Sequence, residues 1–395
     1  MNSPSVHRIN FFEPIPQRIR CLSFDKFSSH LAVSRSDSSI EIWDTKENPY
    51  LEKIIPATST TSVETVTWCN GRLFSAGLYG SITEHDLETL VPKYQLSVTS
   101  GCPIWCMKFD YDGKCLAVGN EDGHVVLHQL LAEGLEFYKK CEKQEGSILC
   151  LDWHKAGQKI VTGSVKDIRV WNVESGRVVN RILLSKLDKK IPTIVWCIAV
   201  TSDMTIISGD SRGKTSFWDG NTGALLSEYG TQKNDILSLV VNESEDTIYA
   251  SGVDPTITMY MKCNYNDLWM KSFCRVVHTH DVRALHMAGE FLVSGGDDCN
   301  LVFTKYPPKT VIQFFPFCQK SHCIVAAAFP CILLSYSNYV EVWSLGTAGN
   351  KHKPTNLLRL KPKKNENIIS SSISANGKWL AYSSQFQIRL FCLKL

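Results

Sequence analysis

No segment of this chain sustains a helical period, which excludes an all-helical class of protein. Long apolar runs are equally scarce. The longest, IVAAAFPCILL at 324–334, is interrupted by Pro330 and falls short of a membrane span, so it reads as two tightly turned strands. Residues 1–20 hold no continuous apolar stretch of the kind a secretory signal needs, and the expected residence is the cytosol or nucleus. Neither sign of charge prevails: 42 Lys and Arg against 39 Asp and Glu leave +3, too little to imply nucleic-acid binding by itself.

Signatures of catalysis are missing as well. There is no G-x-S-x-G elbow, no phosphate-cradling G-x-x-x-x-G-K-S/T loop and no G-x-G-x-x-G after a strand. The adjacent acids Glu121 and Asp122, and Asp297 and Asp298, stand in polar turns, where a turn role outranks acid and base work. Fifteen cysteines are present, yet none forms a Cys-x-x-Cys pair, and Cys102 with Cys106 and Cys318 with Cys323 match no common zinc spacing. Cys21, Cys106, Cys115, Cys150 and Cys197 lie inside apolar runs, where a thiol acts as a small buried hydrophobe. The expectation is a non-enzymatic protein with reduced thiols, no metal, no cofactor, no membrane contact and no small-molecule substrate.

What the chain does have is a repeat. SIEIWDT at 39–45, DIRVWNV at 167–173, KTSFWDG at 214–220 and YVEVWSL at 339–345 place Trp43, Trp171, Trp218 and Trp343 at one kind of strand ending. His85, His128, Tyr260, Phe303 and Phe391 take the same place in weaker copies, so nine anchors recur at intervals of 40 to 48 residues. Each unit reads as short apolar strands separated by turns, as in PIWCMKF, DYDG, CLAVG, NEDG and HVVLHQL between Pro103 and Leu130. The period and the strand pattern predict an all-β WD40 β-propeller built from four-stranded blades.

Closed propellers hold four to eight blades. Nine units therefore predict a seven-bladed ring over residues 1–317, followed at 318–395 by the first two blades of a second, incomplete propeller. A single distorted ring of eight or nine blades is the alternative. Two segments compete to seal the first ring: VHRINFF at 6–12 and TVIQFFPF at 310–317. With 44% hydrophobic residues there is apolar material for one large core and part of another.

A turn Asp six residues before the anchor, facing backbone amides and a loop His, is expected to form a buried network in each blade that has one. Asp37, Asp122, Asp254 and Asp297 stand at that offset, and the seventh unit adds His280 and Ser294. Tyr79, Val165 and Arg212 replace the Asp elsewhere, where apolar packing is expected to carry more of the load. A run without acids, NKHKPTNLLRLKPKK at 350–364, offers Lys351, Lys353, Arg359, Lys361, Lys363 and Lys364 as contacts for RNA phosphates or a partner; SKLDKKIP at 185–192 is a smaller basic cluster.

The order of the blades resembles a known family. VHRINFF, IRCLSFD, HLAVSRSDSSIEIWD, RLFSAGLYGSITEHDL, GCPIWCMKF, VGNEDGHVVLHQL, ILCLDWH, TIISGDSRGKTSFWDGNTG, HTHDVRAL, SGGDDCNLVF and ENIISSSISANGKWLAYS together resemble the N-terminal half of the cirhin-like tandem WD40 proteins. That resemblance implies a nucleolar, non-catalytic scaffold of the small-subunit processome. Its partners would be other propeller and helical subunits and the 5′ external transcribed spacer of pre-ribosomal RNA, met directly or through those subunits. Its role would be in maturation of 18S ribosomal RNA, with a link to transcription of ribosomal DNA. The family continues into a full second propeller and a basic tail beyond the point matching Leu395.

Two rival classes have their own signatures. A ubiquitin-ligase substrate receptor often carries W-D-x-R at a blade end, whereas Trp43 is followed by Asp44, Thr45 and Lys46, and Trp218 by Asp219, Gly220 and Asn221. A chromatin peptide reader would gather an aromatic cage or acidic pocket at the channel mouth. Both fall under a general WD40 adaptor role, the alternative to the processome scaffold.

Overall fold

The structure, a computed structural model, describes residues 15–394 apart from 58–61, 99–100, 186–190, 231, 264–267, 306–308, 317–321, 327, 337, 346–353, 363–365 and 385. Regular structure among the described residues is strand, arranged as antiparallel sheets in which neighbours follow one another in chain order. The first sheet comprises Ile19–Asp25, His30–Arg35, Ile40–Asp44 and Tyr50–Ile55. The second runs from Thr65–Cys69 to Pro92–Ser97, the third from Ile104–Phe109 to Leu135–Lys140 and the fourth from Ile148–Trp153 to Val178–Leu183. The fifth begins with Val195–Val200, the sixth with Ile236–Val241 and the seventh with Val282–Ala288, each with four strands; an eighth begins with Cys323–Ala326. The last has three described strands, Ile368–Ile373, Trp379–Ser384 and Ile388–Cys392. The chain divides into two compact units, one of residues 17–86 and 92–316, the other containing 317–395.

In the first seven sheets burial falls from the first two strands to the fourth. In the third sheet the second strand, CLAVGN, is covered on both faces and both edges, and Leu116, Ala117 and Val118 are wholly buried. A strand so enclosed must read as a continuous apolar run, which is why CLAVG was legible as a strand without alternation. Fourth strands such as Leu225–Gly230 have neighbours on one edge and alternate between half-buried and exposed.

Within the larger unit, the first strand of each sheet lies against the first strand of the next through all seven, and the seventh lies against the first. Glycine makes these approaches possible. A Cβ on Gly119 would stand 2.6 Å from Ile148, one on Gly163 2.7 Å from Val195, one on Gly209 2.6 Å from Ile236 and one on Gly295 2.6 Å from Ile19. Each of these glycines therefore admits the opening residue of the following sheet. One apolar cluster joins Ile19, Leu31, Val33 and Trp43 to Ala284, Val293, Leu301 and Phe303, and the Trp43 and Phe314 rings lie 4.7 Å apart. Buried Arg35 adds a polar tie, donating to the Cys299 carbonyl at 2.8 Å while Glu41 holds its other nitrogens at 2.9 and 3.0 Å.

The fourth strand of the seventh sheet is Thr310–Phe314, paired with Leu301–Lys305. The competing segment 6–12 lies outside the described residues.

Candidate interaction site

One hydroxyl position recurs near the end of the second strand of a sheet, and what it meets depends on the anchor ring. Trp171 donates its indole N–H to Thr162 Oγ1 at 2.9 Å, Trp218 donates to Ser208 Oγ at 2.9 Å, and His85 Nε2 lies 2.7 Å from Ser75 Oγ. Phe303 has no polar atom to offer, so Ser294 turns to a loop histidine instead: His278 Nε2 at 2.8 Å. His278 Nδ1 faces Asp298 at 2.9 Å, and both side chains are almost fully buried. Asp298 also accepts from the amides of Thr279 and Asn300.

This corrects the expected assignment of the seventh blade, in which His280 and Asp297 were to join Ser294. His280 is exposed and meets Thr279 Oγ1 at 2.9 Å, while Asp297 is held by Arg283 at 2.6 Å and Arg18 at 3.2 Å at the surface. The turn before Phe303 is one residue shorter than that before Tyr260, so counting six back from the anchor lands one residue early. Amide pairing shows the equivalence: Val253 bonds the Asp235 carbonyl as Asp297 bonds that of Asp281, which aligns Asp254 with Asp298. Counting back from the next strand would have located the loop partner, because Gln232 and His278 both stand four residues before it, at Ile236 and Val282.

Asp254 accepts from the Lys233 amide at 2.7 Å. Asp37 has the aligned position but is exposed and among the described residues binds only Ser39, at 3.0 Å to its amide and 2.7 Å to its hydroxyl, because the aligned loop residue is Pro16, which has no N–H. Asp122 is likewise exposed, beside the Cys102 thiol. Neither carboxylate is part of a buried network.

The blades without a turn Asp keep polar cores after all. In the fourth sheet Asp167 is buried against Ser164 at 2.6 Å, Arg169 at 3.0 Å and Arg181 at 2.7 Å. In the fifth, Asp210 holds Arg212 at 2.6 Å and the amides of Arg212 and Lys214. The polar demand expected of the turn has moved onto the strands, where acids two residues before an arginine were not counted. Two other anchors use a neighbouring acid: Trp43 donates to Glu41 at 3.0 Å and Trp343 to Glu341 at 2.8 Å. Tyr260 reaches across to Thr215 Oγ1 of the preceding sheet at 3.0 Å.

No disulfide occurs among the described cysteines. Burial pushes the thiols of Cys69 and Cys141 up to about 11 and that of Cys115 to about 12, and raises Cys106, Cys150 and Cys197 further. Thiols held protonated in this way are poor nucleophiles and poor metal ligands.

Of the basic run, Arg359 and Lys361 are described. Lys351, Lys353, Lys363 and Lys364 lie outside the described residues. Arg359 stands on the fourth strand of the eighth sheet, Thr355–Leu360, where its Nε donates to buried Glu341 at 2.7 Å and its guanidinium sits 5.0 Å from the Tyr339 ring centre. Its charge is paired with Glu341, while the side chain stays 55% exposed. Lys361 is exposed.

Repeated antiparallel sheets, four-stranded in all but the last and packed first strand against first strand through the larger unit, fit the class of WD40-type β-propeller proteins. Within that class, the family model for the Nucleolar protein 10-like, N-terminal domain matches residues 3–224, and the chain belongs to that family. It is 35% identical over 419 residues to U3 small nucleolar RNA-associated protein 4 homolog of Homo sapiens, covering 100% of this chain and 61% of that protein. It is 28% identical over 426 residues to U3 small nucleolar RNA-associated protein 4 of Saccharomyces cerevisiae and 27% over 413 to that of Schizosaccharomyces pombe, each across 98% of this chain, with 54% and 58% of those proteins covered. The chain thus spans about three fifths of the length of the curated relatives it matches.

Proposed function

We propose that this chain is a non-catalytic scaffold of ribosome biogenesis, working in the nucleolus within the early pre-ribosomal RNA-binding part of the small-subunit processome. The reading rests on one observation: likeness along the whole chain to proteins named for association with U3 small nucleolar RNA. It extends to a cirhin-like role in 18S maturation, with other propeller and helical subunits and the 5′ external transcribed spacer as partners. Closely packed sheets with inert thiols suit a rigid platform whose loops and edges meet other molecules. Lys351, Lys353, Lys361, Lys363 and Lys364 are assigned to RNA phosphates, and Arg359 to the fold.

Tagged chain recovered from nucleolar extract is expected to bring down spacer RNA together with propeller subunits, and charge reversal of those five lysines is expected to reduce RNA crosslinking, most visibly at low salt. Recovery of ubiquitin-ligase or chromatin components instead would identify a general adaptor. Unchanged crosslinking would remove the lysines from the proposal.

The same reading divides the chain into a closed seven-bladed propeller over 1–317 and the first two blades of a second over 318–395, the cyclic packing of seven first strands being its support. A fragment ending near residue 317 is expected to unfold cooperatively and to resist protease longer than the remainder. Equal resistance along the chain would contradict that division.

A further inference from the structure

At the end of the first sheet opposite the Asp37 turn, three strands bring together His30, Asp44 and Glu52. His30 opens the second strand, Asp44 closes the third directly opposite it in register, and Glu52 stands on the fourth, at a shift in pairing between Leu51 and Lys53. One donor atom from each residue lies within 4.8 Å of the others, and all three are half-buried. The donors are 14 and 8 residues apart, so no sequence motif announces them.

Each carboxylate has one oxygen held by a neighbouring lysine residue and the other in a side-chain contact that an ion would displace. Asp44 Oδ1 accepts from the Lys46 amide at 2.9 Å, with the Tyr50 hydroxyl 3.5 Å from Oδ2. Glu52 Oε1 pairs with Lys53 at 3.2 Å, and its Oε2 lies 2.8 Å from His30 Nε2. The imidazole is steadied by Trp68, whose ring stacks at a centroid distance of 6.4 Å. Outer partners of this kind orient metal ligands.

We propose that His30, Asp44 and Glu52 bind one divalent transition ion of the zinc type. One imidazole nitrogen and two carboxylate oxygens suit zinc better than calcium or magnesium, which take six or more oxygens. Bonds of about 2.1 Å in a tetrahedron put donors about 3.4 Å apart. The His30 to Glu52 contact therefore opens by a fraction of an ångström as the ion replaces a hydrogen bond, and water completes the fourth position.

Untagged full chain, stripped with chelator and titrated with Co2+, is expected to take up one ion with the visible bands of tetrahedral cobalt, displaced by Zn2+. The isosteric changes Asp44→Asn and Glu52→Gln are each expected to weaken uptake by roughly tenfold or more, whereas Glu290→Gln, at an exposed acid paired with Lys305, leaves it unchanged. Absence of saturable uptake, or equal uptake by all three variants, would overturn the assignment.

Discussion

Replacing Asp298 by alanine is expected to lower the unfolding free energy by about 3–5 kcal/mol, because it leaves a buried histidine without its partner. Chemical denaturation of the purified chain measures it. His278 and Asp298 are both inaccessible to solvent, and the Ser294 hydroxyl and two backbone amides depend on the same pair. The neighbouring change Asp297→Ala is expected to cost no more than about 1 kcal/mol, since its partners Arg18 and Arg283 are largely solvated. Equal losses for the two variants would show that the pair does not support the seventh sheet in this way. Burial opposes ionisation of Asp298, but the His278 bond and the amide bonds together outweigh it and hold its carboxyl below the usual range. Its contribution is therefore present above the unfolded value near about 3.9 and is lost as pH falls through the lower folded one.

Acidification from pH 7 to 5 is expected to destabilise the protein well before any carboxylate titrates. Burial holds His85 and His128 at about 4, and both occupy anchor positions with only 7% and 2% exposure. In the unfolded chain a histidine takes its proton near about 6.5. Below that pH the unfolded state binds protons that the folded state refuses, so stability present above about 6.5 is lost progressively down to about 4. At pH 5 each group contributes a loss of about 2 kcal/mol. His286 adds to the trend in the same direction. The check is the urea midpoint at the two pH values for the parent and for His128→Phe, which places at the third anchor the ring that Phe303 supplies at the seventh. The variant is expected to lose about a third of the sensitivity, since His85 and His286 keep their shares, and an identical pH profile would rule His128 out as a source.

Much of this architecture was readable because strands and anchors are set by local pattern. The apolar runs, the polar turns and the large ring at each anchor are all properties of a dozen consecutive residues. The networks were less readable because they join positions through space. A turn shortened by one residue moved the seventh-sheet partner from Asp297 to Asp298. Pro16 silenced Asp37 by lacking a proton, and the substitution of Phe303 for tryptophan freed Ser294 for His278. Asp167 and Asp210 stand outside the turn offset that was counted, and only the fold closes the neighbouring arginines over their carboxylates. The basic run was visible, but only packing separates Arg359 from the lysines around it.

Every described sheet is assembled from strands adjacent in the chain, and this has a bearing on how the protein is made. Each described sheet is able to pair as it leaves the ribosome, because its described strands need no distant part of the chain. One event is different in kind. The seating of Ile19 against Gly295, with Arg35 on the Cys299 carbonyl, spans nearly the whole larger unit and comes after synthesis of the seventh sheet. That seam is then the last to form, and among the described residues it is held by side-chain packing and the Arg35 tie with no ladder of backbone hydrogen bonds across it.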